Sequence, residues 1–308
     1  MTFCGAAMAA MMSGLAVTTN GQELPLAEKA KTVELFRVPK YCEGVCFDHA
    51  GNGYISWGVA ITKFALDGKN SVWAETGAPN GHKILADGTH LVCDASQHAM
   101  LHLSVEGKLL EPASKECEGR PLRGPNDLSL DTANGGFYFS DPGESSAEKP
   151  IGTIHYVDRE GKTHLLAGGL AFPNGIVLTP DGKKLYLAES QKNRVLVYQV
   201  SAPGKIGDAK VFAELPAKNA PVGQIDNQPD GMCLDAAGNL YVAHYGMKQV
   251  QVLSPAGKLI RQYDGGNVRR AMWPSVDRTW TSFLSPAASA RRPVKAACFA
   301  LTWAFRAS

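Results

Sequence analysis

Five acid or amide side chains recur at matching points of the chain: Glu43, Asn80, Asn126, Asn174 and Asp230. If they meet, two carboxylates and two or three amide oxygens make a hard-cation site suited to Ca2+ or Mg2+, and the residue types also admit Zn2+ or Mn2+. Without a cation, Glu43 and Asp230 would repel, and one carboxyl would hold its proton. The plainer reading is turn chemistry, because Pro, then Asn or Asp, then Gly is a favoured turn sequence. That accounts for one or two copies, but not for Glu43, since Glu is a weak turn former.

Each of the five residues opens a similar stretch. These are EGVCFDHAGNGYISWG from Glu43, NGHKILADGTHLVCDAS from Asn80, NDLSLDTANGGFYFSDP from Asn126, NGIVLTPDGKKLYLAES from Asn174 and DGMCLDAAGNLYVAHYG from Asp230. In every case a short alternating apolar run meets a turn rich in Gly or Asp, and a second apolar run follows. That pattern is a hairpin. The intervals leave room for two further strands, and four strands in about 40 to 50 residues mark a propeller blade. The sequence therefore predicts an all-β, six-bladed β-propeller. A β-sandwich is the competing all-β fold, but it does not explain one residue class recurring once per unit. In a propeller the innermost strands line the axis, so the five positions converge on one rim.

The repeat holds through Asp264-Gly265-Gly266 and then stops. From about Arg269 the chain has neither alternation nor turn chemistry. Read two bases later, the codons for AMWPSVDRTWTSFLSPA permit NVAFGGPDMDQLFVTG, a sixth copy of the hairpin. The expectation is a frameshift near Val268, with a propeller over 23–268 and an aberrant tail over 269–308 in place of the last blade's hairpin. A frameshifted gene also allows a chain without activity.

Residues 1–22 are small and apolar without a basic start. They read either as an export signal, giving a periplasmic or secreted protein, or as a poorly ordered arm on a cytoplasmic one. The 308 residues are 44% hydrophobic and 19% charged with net charge +2, which leaves no electrostatic footprint for nucleic acid or an anionic membrane. No stretch is long and apolar enough to span a bilayer, and nothing implies a protein partner. Cys42, Cys46, Cys93, Cys117 and Cys233 form no CxxC pair and are expected to be mostly buried free thiols.

The stretches CEGVCFD, RGPNDLSLD with GGFYFSDPG, FPNGIVLTPDGKKLYLAES, and QPDGMCLD with GNLYVAHYG resemble the family of gluconolactonases and senescence marker protein (regucalcin). The likeness covers roughly residues 40 to 268. It implies a six-bladed propeller with one divalent cation in the central channel, Ca2+ first among the candidates, held by Glu43, Asn174 and Asp230. It also implies that Asn126 lies near metal and substrate, with Asp127 in support. Animal members place an Arg two positions before that Asn. Here Gly124 stands there with Arg123 one step earlier, so the GPND…YFSDP pattern fits the bacterial members better.

The activity implied is metal-assisted hydrolysis of a sugar lactone, with Asp230 taking the proton from the attacking water. No Ser sits in a G-x-S-x-G elbow, which argues against an acyl-enzyme. His82 and His244 follow ring positions and are candidates for the mouth, although a lone His is more often a packed strand residue. Glu189 has the same standing. Arg123 either contacts substrate oxygen or solvates a loop. Two alternatives remain: a propeller hydrolase of other esters or phosphoesters, and a non-catalytic binding propeller whose metal only fixes the channel.

Overall fold

The computed structural model describes residues 24–30, 33–40, 42–219, 227–265 and 281–282. Among them are five consecutive antiparallel sheets, each a blade built by consecutive strands of the chain. Blade 1 runs through Cys42–Phe47, Gly53–Trp57, Ala60–Phe64 and Asn70–Glu75. Blade 3 runs through Leu128–Asp131, Gly136–Asp141, Gly152–Val157 and Thr163–Leu170, and blade 5 through Gln228–Leu234, Leu240–Tyr245, Gln249–Leu253 and Leu259–Asp264. Blade 4 starts with Pro173–Leu178, Lys184–Glu189 and Arg194–Ala202 and carries both Lys205–Ile206 and Lys210–Glu214 on its third strand.

Blade 2 departs from the four-strand pattern. After Pro79–Ile84, His90–Asp94 and Ala99–Leu103 its outer edge is reduced to isolated bridges, Leu103 to Leu109 and Met100 to Ser114. Pro112 lies between those bridges, and a proline has no N–H to give to a ladder.

The turns repeat as chemistry. In blade 1 the Asp48 carboxylate accepts the N–H groups of Ala50 (3.0 Å) and Asn52 (2.8 Å) and the Asn52 amide (2.8 Å). Blade 5 reproduces this at Asp235, with Ala237 (2.9 Å), Asn239 (2.8 Å) and the Asn239 amide (2.8 Å). Local side-chain acceptors of this kind fix a turn without help from the core.

The core lies between blades. Tyr54, Ile61 and Ala74 of blade 1 pack on Val92, Leu101 and Leu103 of blade 2. Tyr138 and Ile154 of blade 3 meet Ile176, Leu185 and Leu187 of blade 4, and Tyr186 and Val195 of blade 4 meet Met232 and Val242 of blade 5. The N-terminal segment joins the two ends of the series. Leu24, Ala27 and Ala30 pack on blade 5, where the Tyr263 hydroxyl donates to the Pro25 carbonyl at 2.9 Å. Phe36 and Val38 pack on blade 1.

The all-β propeller is as the sequence predicts. The hairpin expected of the sixth blade and most of the tail over 269–308 lie outside the described residues, as do residues 1–22. Within the tail, Thr281–Ser282 pairs antiparallel with Val33–Glu34. Cys42, Cys46, Cys93 and Cys117 are buried free thiols and Cys233 is half-buried, as expected.

Candidate metal centre

The ring residues sit where strand pairing slips. Register between the inner and second strands breaks between Glu43 and Val45 in blade 1 and between Pro79 and His82 in blade 2. It breaks again between Pro173 and Ile176 in blade 4 and between Pro229 and Met232 in blade 5. A β-bulge re-aims the side chain that it carries, and bulges concentrate beside functional sites. Glu43, Asn80, Asn174 and Asp230 are each at such a bulge.

The residue after each of them is glycine, and the reason is contact between inner strands. A Cβ on Gly44 would overlap the Asn80 carbonyl oxygen, and one on Gly175 would overlap that of Asp230. A Cβ on Gly81 would lie 2.6 Å from the Asn126 carbonyl oxygen, which accepts the Gly81 N–H at 2.8 Å. Blades 1, 2 and 4 thus rest their glycines on the ring residue of the next blade. Blade 3 has Asp127 in that place, and its carboxylate accepts the N–H of Leu128 (2.8 Å) and, across to blade 4, of Ile176 (3.4 Å).

Serines on the second strands of blades 1 and 3, and Ser190 just past that of blade 4, complete the frame. Ser56 donates to the Asn80 carbonyl at 2.8 Å, and Ser140 donates to the Asn174 carbonyl at 2.7 Å. Ser140 also accepts the Asp127 N–H at 3.1 Å, while Ser190 donates to the Pro229 carbonyl at 2.5 Å. Sequence reasoning passed over these serines. Their signal is a Ser at the end of the second run in ISWG, FSDP and AES.

Electrostatics mark Asp230. It and Asn174 are each 9% exposed. Burial, above all, and then the charges of Glu43 and Asp127 push the Asp230 carboxyl well above the usual carboxylate range, against a hydrogen bond from the Asn174 side chain. Burial also raises Asp127, opposed by Lys83 and by the N–H groups of Leu128 and Ile176. Asp230 therefore feels two further carboxylates in a poorly solvated place, which calls for a proton or a cation. Among the described residues no group of three or more His, Cys, Asp or Glu is placed to hold a metal. A cation here needs the Asn174 amide oxygen beside the Glu43 and Asp230 carboxylates, an all-oxygen set that fits a hard divalent ion.

The other sequence candidates fare differently. Asn126 and Asp127 come just before blade 3's inner strand and lie beside the Asp141 end of its second strand, with the Asn126 N–H on the Ser140 carbonyl at 2.9 Å. Arg123 is exposed; its N–H binds the Asp141 carboxylate at 2.8 Å and its guanidinium reaches the Ile151 carbonyl, so it ties down a loop. His82 is 1% exposed, its Nε2 2.7 Å from His90 Nδ1, and it is packed among Tyr54 and Trp73. His244 is fully buried, with Nε2 2.8 Å from the Asn193 amide oxygen and Nδ1 3.2 Å from the Gln251 amide. Burial between blades removes both histidines from the substrate-contact role that the sequence suggested.

The family model that matches residues 42–272 is described as the SMP-30/gluconolactonase/LRE-like region. The chain belongs to this family. Among curated relatives, the diisopropyl-fluorophosphatase of Loligo vulgaris is 26% identical over 262 residues, covering 76% of this chain and 81% of that protein. The gluconolactonase of Zymomonas mobilis is 26% identical over 196 residues, 60% of this chain and 54%, about half, of its own length. Two solved structures share the fold. The gluconolactonase of Xanthomonas campestris matches with TM-score 0.65 at 22% identity, over 77% of this chain and 80% of that one. A calcium-binding protein, regucalcin, from Agrobacterium tumefaciens matches with TM-score 0.62 at 22% identity, over 76% and 78%.

Proposed function

We propose that this chain is a metal-dependent hydrolase of sugar lactones. The observation that carries the reading is Asp230, a buried carboxylate hydrogen-bonded to Asn174 and facing the charges of Glu43 and Asp127. The family and its members named gluconolactonase support the substrate class. A neighbour named as calcium-binding supports the cation.

Glu43, Asn174 and Asp230 would hold the cation, Ca2+ first among the hard divalent ions. When bound, it supplies Lewis-acid polarisation of the lactone carbonyl. Asp230 accepts the proton of the water whose oxygen bonds to the carbonyl carbon. As the ring C–O bond breaks, that proton passes to the departing ring oxygen, leaving a hydroxy acid and the carboxylate restored. Asn126 orients the carbonyl or a sugar hydroxyl, and its amide can donate or accept as that task requires.

The test is pH-stat hydrolysis of glucono-1,5-lactone with Ca2+, after chelation, and in Asp230→Asn, with the spontaneous rate subtracted. Cation-dependent acid release that disappears in the variant is the expected result. Cation binding without release would leave the binding propeller standing in place of the enzyme. The 26% likeness to a diisopropyl-fluorophosphatase favours one second reading, hydrolysis of a phosphoester at the same ring. Turnover of a phosphotriester in the absence of lactone turnover would establish it.

A further inference from the structure

Asn174 is reached through a turn that its sequence does not favour. Phe172, two residues earlier, has φ of +58°, a left-handed conformation for a residue with a full side chain. Pro173 follows directly, and a residue before proline is pushed toward extended backbone. Such a conformation persists only where its surroundings over-determine it.

The surroundings here are specific. The Ala171 N–H donates to Glu189 Oε1 at 2.9 Å, and the Phe172 N–H donates to the Ser145 hydroxyl at 2.9 Å. The carbonyls are taken by the Ser190 N–H (3.0 Å to Phe172) and the Gln191 N–H (3.2 Å to Ala171). Glu189 is 1% exposed and Ser145 4% exposed. Arg194 locks the other oxygen, its Nε and Nη2 each 2.7 Å from Glu189 Oε2. Both oxygens of one buried carboxylate are thus committed, Oε1 to the strained turn with Lys192 Nζ 3.9 Å away and Oε2 to the Arg194 guanidinium.

We propose that Glu189 is a positioning residue for Asn174, holding the left-handed Phe172 turn so that the amide faces Asp230. The proposal rests on the reading that Asn174 and Asp230 hold a divalent cation. It has a consequence that a general structural role lacks. Once the carboxylate clamp is weakened, Phe172 relaxes toward negative φ and carries Asn174 with it, whereas a glycine at 172 keeps the turn at no steric cost.

The experiment is calorimetric titration of the full chain with Ca2+, alongside thermal unfolding. Glu189→Gln can accept at one oxygen only, because its NH2 must face either the Ala171 N–H or Arg194, and both are donors. Its Ca2+ affinity is expected to fall about tenfold, the usual scale for a group that orients a ligand. Adding Phe172→Gly should restore most of that loss. Asp131→Asn, at the far end of blade 3's inner strand, is expected to lower the melting temperature and leave the affinity unchanged. If Glu189→Gln does not fold, Ser145→Ala, which frees the Phe172 N–H, is expected to weaken Ca2+ binding measurably and to be rescued in the same way. Undiminished affinity in both clamp variants, or loss without rescue by glycine, overturns the inference alone. A wild-type chain that binds no cation overturns the functional reading and this inference with it.

Discussion

At the scale of single residues, the informative side chain is Asp230. Its carboxyl is held well above the usual range by burial first and by the charges of Glu43 and Asp127 after that. A cation arriving there displaces a proton, so its apparent affinity depends on pH. The sign follows from the direction of the shift: affinity rises with pH up to the raised pKa and levels off above it. Glu43→Gln removes a facing charge, so Asp230 ionises more easily and the levelling moves to lower pH, while the plateau falls by about tenfold with the lost ligand charge. Ca2+ titrations across the pH range in which the chain stays folded read both effects; coincident profiles for wild type and variant would sink the account. That Glu43, Asn174 and Asp230 come together was legible in the sequence, because each occupies the same point of a repeat. His82 and His244 were misread for a physical reason. Both faces of a propeller strand are covered by neighbouring blades, and a bulge shifts the alternation, so pattern alone does not separate a channel-facing histidine from a packed one. Glu189 was legible only as a candidate, because the contact that gives it a role is with the backbone of a distant turn.

At the scale of the element, the hairpin units were legible from composition and the bulges were not. One extra residue in an inner strand leaves no trace in an alternation already interrupted by Asn-Gly or Asp-Gly. The bulges are nonetheless what aim the ring, and the glycines beside them set how closely the inner strands approach. Gly175→Ala should therefore cost more than an ordinary glycine substitution, because its Cβ overlaps the carbonyl of Asp230 and backbone cannot step aside as a side chain can. We expect a loss of about 3 kcal/mol, the upper part of the overpacking range, together with weakened Ca2+ binding. Gly161→Ala provides the contrast. It sits in a turn at φ +82° with no atom within 4 Å of its Cβ, so only backbone strain of about 1 kcal/mol is expected and no change in affinity. Denaturant unfolding and calorimetry on the two variants separate these cases; equal losses in both would remove the close approach as the reason for Gly175.

At the scale of the whole molecule, stability is stored between blades and within them, and three buried histidines report on it, His82 and His90 between blades 1 and 2 and His155 inside blade 3. His82 and His90 lie with Tyr54 and Trp73 between blades 1 and 2, with ring centroids 4.3 Å apart for Trp73 and His90, and His155 stacks on Phe139 at 4.9 Å. Burial lowers all three, His90 and His155 to about 4 and His82 well below its ordinary value, with Lys83 beside His82 and Arg123 beside His155 acting the same way. Unfolding parts the blades and returns each imidazole to an ordinary pKa of about 6.5. Between about pH 4 and about 6.5 the unfolded chain therefore binds more protons than the folded one, and stability rises with pH across that window and is flat above it. The half-buried Asp127 and the buried Asp141, both raised, act in the opposite direction, so the histidine contribution is best read as a difference. Comparing wild type with the His82→Phe/His90→Phe double variant isolates the blade 1–2 pair, since both keep the carboxylates. The wild type should lose stability relative to the variant on acidification through the window, by up to about 1.4 kcal/mol per pH unit for each histidine. Parallel curves would mean that the pair takes up its protons with the blades still packed, and that the contact between blades 1 and 2 is looser than its burial implies.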